Sequence, residues 1–288
     1  MTLIDEGTIK GFCKNSSDVF CRLFPQLPKQ SCVLKRYNTD SVPITDIGTL
    51  VVSSFSILII VLIAVRSFRK KAAVGRKEIF LSLISMIPSI ALTLTIDSFT
   101  FNSNITRWLS IAAVATRVMF TWALLYFGFV GFQMIPDGSS LSIFLMILSM
   151  VLFTVSSGLL SFLVSRPSLV SRGEYGNNDA ELVSLFVFGV ILPYAFVILY
   201  TLTQAIIVFK YLAVRKPLLW LVIIILSSAG ILVCNNFISQ TICRGTSGSI
   251  DGSMFYLCFQ LLAAFSVYQF WNSITEDETD DFAGMYKF

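Results

Sequence analysis

Residues 107–132 read RWLSIAAVATRVMFTWALLYFGFVGF, an apolar run with one full charge, Arg117, set well inside it. A helix rises about 1.5 Å per residue, so roughly 20 such residues cross the hydrocarbon core of a bilayer. An arginine at that depth costs about 2.5 kcal/mol or more if it meets lipid. Arg117 is therefore expected to face other helices or a polar partner. Contact with a polar group of another protein inside the membrane, or a place on an ion or substrate path, are the alternatives.

The composition is that of a polytopic membrane protein. Of the 288 residues, 55% are hydrophobic and 13% are charged, and the mean hydropathy is +0.79. A water-soluble globule cannot accommodate these proportions on its surface. The net charge is only +4 and no basic stripe alternates with aromatics, so nucleic acid is not an expected partner. Histidine, the commonest metal ligand and general base, does not occur.

Hydropathy predicts an all-α protein with seven transmembrane helices. Pro88 and Pro193 fall inside the second and fifth spans, where neighbouring helices can satisfy the carbonyl that a proline frees. The predicted spans are residues 47–65, 79–96, 107–132, 141–164, 182–209, 218–238 and 254–271. They leave an amino-terminal segment, 1–46, before the bundle, 47–271, and a tail, 272–288. Segment 1–46 lacks the features of a signal peptide, so we expect it to stay on the mature protein.

The basic residues indicate how the seven spans are oriented. Lysine and arginine near span ends are retained on the cytosolic side. With the amino terminus lumenal or extracellular, the opposite loops and tail hold most of the basic residues outside segment 1–46. These are Arg66, Arg69, Lys70, Lys71, Arg76, Lys77, Lys210, Arg215, Lys216 and Lys287, against Arg107, Arg166, Arg172 and Arg244 on the lumenal side. We therefore predict a cytosolic carboxyl terminus.

Cysteine placement agrees with this orientation. Cys13, Cys21, Cys32 and Cys243 all fall on the predicted lumenal side, an oxidising compartment where an even number of cysteines predicts disulfides. We expect two, one of which ties Cys243 to an amino-terminal cysteine and clamps segment 1–46 over the loop between spans six and seven. Free thiols are the alternative. A zinc site is less expected, because neither a CxxC pair nor a histidine accompanies these cysteines.

Two sequons can be read, Asn15-Ser16-Ser17 and Asn104-Ile105-Thr106. Asn104 lies almost on the membrane, where the modifying enzyme reaches poorly. Asn15 is therefore the better glycosylation candidate.

The chemistry of an enzyme site is missing from the pattern. All carboxylates fall in loops, at span edges or in the tail, so we expect no buried Asp or Glu for a proton relay. Asp97, at the lumenal edge of span two, is the nearest exception. No phosphate-binding loop or Ser/His/Asp set is present, which predicts no catalytic residues, cofactor or metal. The intramembrane polar residues Gln204, Asn235 and Asn236 are typical of helix packing.

Several local patterns, in order along the chain, resemble one family, the fungal chitin synthase export chaperones. The first of these patterns is the cysteine-bearing amino terminus, and the last is the acidic stretch 275–282. Between these lie VGRKE (74–78), WALL (122–125), GFVGF (128–132), DG (137–138), QTIC (240–243), DG (251–252) and VYQFW (267–271).

The resemblance implies a seven-span chaperone of the endoplasmic reticulum membrane. Such a protein binds a polytopic chitin synthase, helps it fold and permits its export to the cell surface, and family members also accompany the enzyme as a bound subunit. Arg117, Gln204 and Asn235 are then candidate hydrogen-bond donors to the client within the membrane lipid. The tail carries five carboxylates that could form an export signal read by vesicle coat proteins: Glu276, Asp277, Glu278, Asp280 and Asp281. A solvated, disordered tail is the alternative.

A seven-helix receptor or small-solute transporter is the alternative from another class, and topology alone supports it. A receptor would need a polar pocket, and a transporter would normally show inverted repeats or broken helices. The two halves of this sequence show no repeat.

Overall fold

A computed structural model describes residues 6–24, 32, 34–35, 45–70, 75–132, 138–165, 179–212 and 215–275. Within these ranges, seven helical stretches are long and apolar enough to cross a membrane, which confirms the predicted number of spans. Spans one to seven are Ile47–Arg69, Arg76–Ser98, Ser103–Val130, Ser140–Val164, Glu181–Lys210, Pro217–Asn236 and Gly252–Ile274. The helix that contains span six begins two residues earlier, at Arg215.

Side-chain caps determine where several spans begin. Asp46 accepts a hydrogen bond from the Thr49 amide (3.0 Å) at the start of span one. Ser139 accepts one from the Ser142 amide (3.1 Å) before span four. Such caps satisfy amides that the first helical turn leaves unpaired, a need that is greater where water is scarce.

Span three is the centre of the bundle. It packs against spans two, four and five, and 56% of its apolar window is buried. Span four is peripheral, with only 17% of its window buried, so most of its side chains face outward. Span seven packs between spans one and six. The segment that carries Arg117 therefore lies where protein, not lipid, surrounds it.

Span five is a helix of changing geometry. An α-helix, Asp179–Phe186, passes into a π-helical turn, Val187–Ile191, before α-helix Leu192–Ile207 and a second π-turn, Val208–Leu212. Pro193 follows the first π-turn directly and lacks the N–H that would bond the carbonyl of Gly189. The wider turn is a usual way for a membrane helix to accommodate such a break.

Two short helices, Glu6–Asn15 and Val19–Arg22, lie before the bundle and pack into one end of it. We call residues 6–24 the plug. Its apolar side chains Ile9 and Phe20 are fully buried and form one cluster with Val114 of span three and Leu185 of span five. This burial of apolar surface is what holds a mostly polar segment against the membrane helices.

The connection between spans six and seven is more ordered than its Gly/Ser-rich sequence suggests. It contains a helix, Ser239–Gly245, whose Cys243 is 1% exposed. Gly252 begins span seven close to the end of span six: a Cβ atom there would lie 2.3 Å from the backbone oxygen of Cys234. Only glycine allows this approach.

Candidate functional site: a buried polar cluster beneath the plug

Asp18 carries a carboxylate from the plug into the interior of the bundle. It is 1% exposed and accepts a hydrogen bond from the Phe20 amide (2.8 Å), which begins the second plug helix. Its other oxygen, Oδ2, accepts from Arg117 Nη1 (2.7 Å) and from Asn235 Nδ2 (3.0 Å). Asp18 thus supplies the counter-charge that a buried arginine requires. We call Asp18, Arg117 and Asn235 the Asp18 cluster.

The two serines before Asp18 extend the contact to the end of span six. Ser17 Oγ donates to Asn235 Oδ1 (2.9 Å), and the Ser17 amide donates to the Asn235 carbonyl (3.0 Å). Ser16 Oγ donates to Asn236 Oδ1 (3.1 Å), whose Nδ2 donates to the Tyr194 hydroxyl (3.0 Å). Plug, span five and span six therefore share one hydrogen-bond network, in which each polar group supports the next.

This geometry assigns internal partners to two of the three donors predicted for a client. Arg117 and Asn235 are both buried and both bond Asp18, so either could reach a client only after those bonds break. Gln204 is 3% exposed, and its amide nitrogen lies 3.3 Å from where a Cβ of Gly128 would stand. The expectation that no carboxylate is buried is wrong. Asp18, Asp46, Glu78, Asp97 and Asp251 are all at most 4% exposed.

A second polar cluster lies beside the first, at the same end of the bundle. Arg22 of the plug forms an ion pair with Asp97 of span two (2.5 Å) and donates to the Ile96 carbonyl (2.8 Å). Asp251 caps span seven by accepting from the Ser253 amide (2.8 Å). Burial raises the pKa of Asp251 above its ordinary value, while its bonds to Ser253 act in the opposite direction. The carboxylate is thus held in place at some electrostatic cost.

Both expected disulfides are present, and both involve the amino-terminal segment. Cys13 and Cys21 link the two plug helices, and Cys32 is linked to Cys243 of the short helix between spans six and seven. The partner of Cys243, left open among three cysteines, is therefore Cys32. The second disulfide joins residues 211 apart in sequence. It therefore ties Cys32, which follows the plug, to the connection between spans six and seven.

The remaining predicted residues fall at the surface or outside the described chain. Asn15 ends the first plug helix and is exposed, but the Ser17 hydroxyl of its sequon is buried against Asn235. Glycosylation of Asn15 stays a prediction. The five acidic tail residues, Glu276, Asp277, Glu278, Asp280 and Asp281, lie outside the described residues.

Glu78 is a buried residue that the sequence reasoning missed. It is 0% exposed, and its Oε1 accepts from the Gly138 amide (2.9 Å) and from Ser142 Oγ (2.9 Å). It thereby ties the start of span two to the start of span four, at the end of the bundle away from the plug. The sequence signal that could have indicated this role is that Glu78 is a single acidic residue next to Arg76 and Lys77 at the edge of a span.

Comparisons with known proteins agree with the resemblance. The family model for chitin synthase export chaperones matches residues 6–284, which include the plug and all seven spans. A chitin synthase export chaperone of Cryptococcus neoformans is 27% identical over 289 residues, covering 95% of this chain and 76% of the relative. Relatives of the same name from Aspergillus fumigatus and Neurospora crassa are 32% and 31% identical, over 79% and 77% of this chain and 67% and 60% of their own lengths. The chain belongs to the chitin synthase export chaperone family.

Proposed function

We propose that this protein binds a polytopic chitin synthase in the membrane of the endoplasmic reticulum, supports its folding and permits its export to the cell surface. The observation that carries the proposal is the family match over residues 6–284, because the relatives are named for this activity. A second part of the proposal is that the protein can stay with the enzyme as a bound subunit. Membrane lipid and vesicle coat proteins are its other proposed partners.

The proposed orientation places the plug in the lumen and the carboxyl terminus in the cytosol. Both disulfides lie at the plug end, which suits an oxidising lumen. The other end carries basic residues in the helix termini, including Arg66, Arg69 and Lys77, which suits the cytosol. A topology test with cysteine-reactive, membrane-impermeant labels at the two ends checks this directly.

The internal hydrogen bonds of the Asp18 cluster affect which surface is available to a client. Since Arg117 and Asn235 are bonded within the protein, the client is expected to contact the outward faces of the spans. Spans four and six offer the most such surface, with 17% and 28% of their windows buried. A client span that packs there exchanges lipid contacts for protein contacts, and van der Waals packing and interhelical hydrogen bonds drive such association.

Two measurements in fungal cells test the proposal. Affinity purification from gently solubilised membranes, followed by mass spectrometry, should recover a chitin synthase with the tagged protein. Deleting the gene should leave fluorescently tagged chitin synthase inside the cell, and re-expression should restore it to the surface. Normal surface delivery without the protein would refute an export role, and recovery of a receptor-associated protein in place of the enzyme would favour the receptor alternative.

The acidic tail can be tested in the same cells. We propose that Glu276, Asp277, Glu278, Asp280 and Asp281 form an export signal read by coat proteins, since such a stretch is too charged to pack or enter the membrane. Replacing all five with alanine should retain the protein in the endoplasmic reticulum while its abundance stays normal. If the client and the protein both leave normally, the tail is a solvated extension without that role.

A further inference from the structure

A cavity of about 100 Å³ lies in the middle of the bundle, between spans two, three, five, six and seven. Its wall is mostly apolar, with side chains such as Leu83, Val197 and Ile231. Span six packs closely on span seven and only lightly on span five. The wall is therefore loosely packed between spans five and six, the side from which a molecule in the bilayer could enter.

Gln260 of span seven lines this cavity without a hydrogen-bond partner. Its side chain is 3% exposed, and neither its amide nitrogen nor its amide oxygen has a partner within the described part of the chain. Three other polar side chains of the wall do have hydrogen-bond partners. Arg117 bonds Asp18, Thr121 Oγ1 donates to the Arg117 carbonyl (3.0 Å), and Ser228 Oγ donates to the Ile224 carbonyl (2.7 Å). A buried amide group without hydrogen bonds lowers the stability of the fold, so a ligand that supplies those bonds would be favoured here.

We propose that this cavity binds the polar end of a neutral lipid that carries a single hydroxyl group. A hydroxyl can donate to the amide oxygen and accept from the amide nitrogen of Gln260, so it satisfies both atoms. A charged head group is excluded, because the only ionised side chain in the wall, among the described residues, is Arg117, and Asp18 already neutralises it. The apolar wall suits hydrocarbon next to the hydroxyl.

The size of the cavity limits how much of the lipid it can hold. An engineered cavity of about 150 Å³ accepts benzene, so about 100 Å³ takes the hydroxyl and a few neighbouring carbon atoms. The remainder of the molecule then lies between spans five and six, in contact with the bilayer. A sterol and a diacylglycerol both present this chemistry, and the experiment below separates them.

The test is photolabelling of the full-length protein in native-membrane nanodiscs. Two probes are used, a sterol and a diacylglycerol, each with a diazirine near the hydroxyl and an alkyne for detection. We expect saturable labelling by one of them, competed by the matching unlabelled lipid, with adducts on peptides of spans five to seven that line the cavity. Labelling by the sterol alone or by the diacylglycerol alone identifies the source of the hydroxyl.

Variants separate cavity binding from general lipid contact. Gln260→Leu keeps the volume and removes both hydrogen bonds, so saturable labelling should fall about tenfold while the melting temperature stays equal or rises. Ala264→Phe should fill the cavity and abolish labelling. Leu262→Ala, at an outward position of the same helix that is 42% exposed, is the matched control and should change nothing.

Three results would overturn the proposal. The first is absence of saturable labelling by either probe. The second is labelling that Gln260→Leu leaves unchanged, a result that stands even if Ala264→Phe fails to fold. The third is a site-specific crosslink from position 260 to a co-purifying protein, which would assign the cavity to a client side chain.

Discussion

The Asp18–Arg117 ion pair gives the sharpest prediction, because both charges are buried and the two residues are 99 apart in sequence. The two side chains are 0% and 11% exposed and 2.7 Å apart. Arg117→Met removes the guanidinium. Among the described residues, the buried Asp18 carboxylate then keeps only the Phe20 amide and the Asn235 amide group as donors. Breaking one partner of a buried pair costs about 3–5 kcal/mol. That corresponds to a fall of at least about a hundredfold in the ratio of folded to unfolded protein.

The double variant shows whether the loss comes from the unpaired charge. Asp18→Asn should destabilise about as much as Arg117→Met, since it leaves the arginine without a counter-charge. Asp18→Asn combined with Arg117→Met leaves no charge unpaired, so its loss should be smaller than the sum of the two single losses. Arg107→Met is the control, because that arginine lies at a span end and donates, within the described chain, only to the Ser165 carbonyl (3.3 Å). It should cost about 1 kcal/mol or less.

Two assays measure these effects. The first is the melting temperature of the detergent-solubilised protein, followed by fluorescence-detected size exclusion after heating. The second is the steady-state abundance in cells, where destabilised membrane proteins are degraded. Normal stability of Arg117→Met, with normal abundance, would refute the structural role. If stability were normal and only client recovery fell, the arginine would instead belong to a client interface.

Three further predictions concern the plug end of the bundle. Gly252→Ala should lower the melting temperature strongly, with a cost of about 1–3 kcal/mol or more, because its Cβ would collide with the span six backbone, whereas Gly245→Ala has open space and should be neutral. Cys32→Ser and Cys243→Ser should lower the melting temperature equally, and the double variant no further; a larger loss in the double variant would contradict the pairing. Burial raises the pKa of Asp251, so the protonated form is favoured by folding and stability is lost as pH rises from about 4 through the raised pKa. Asp251→Asn, which can still cap span seven, should therefore raise the melting temperature at pH 7.5 and give no gain below pH 4; a lower melting temperature at pH 7.5 would count against this reasoning.

The spans could be predicted from the sequence because insertion into a bilayer depends on local transfer free energies. Each predicted span overlaps its helix, and the ends differ by at most a few residues, where caps such as Asp46 and Asp251 decide the start. It could also be predicted that Arg117 faces other helices or a polar partner, since a lone arginine cannot be left in lipid. Both predictions depend on the composition of one short stretch of sequence and not on contacts between distant residues.

That this partner is the carboxylate of Asp18 could not be predicted, because the contact depends on packing between distant parts of the chain. Asp18 is 99 residues from Arg117 and 217 from Asn235. The three residues before it, Asn15 to Ser17, are polar and no apolar run of span length surrounds it, so hydropathy assigns it to water. The burial of apolar plug side chains, Ile9 and Phe20 among them, against spans three and five carries it into the bundle. Glu78 was missed for the same reason, since its partners Gly138 and Ser142 lie about 60 residues away.

The plug also implies an order of events during folding of the protein. Asp18 can meet Arg117 and Asn235 together only after spans three and six have packed in the same bundle, and Cys32 can meet Cys243 only after span six has been inserted. Until then Arg117 is a buried charge without its partner, which disfavours a stable bundle. The last contacts to form are therefore those of the plug, and the long disulfide then makes them hard to undo. A pulse-chase experiment should find the Cys32–Cys243 bond appearing after the Cys13–Cys21 bond, because the latter pair is only eight residues apart. The reverse order would mean that the plug reaches span six before its own helices are joined.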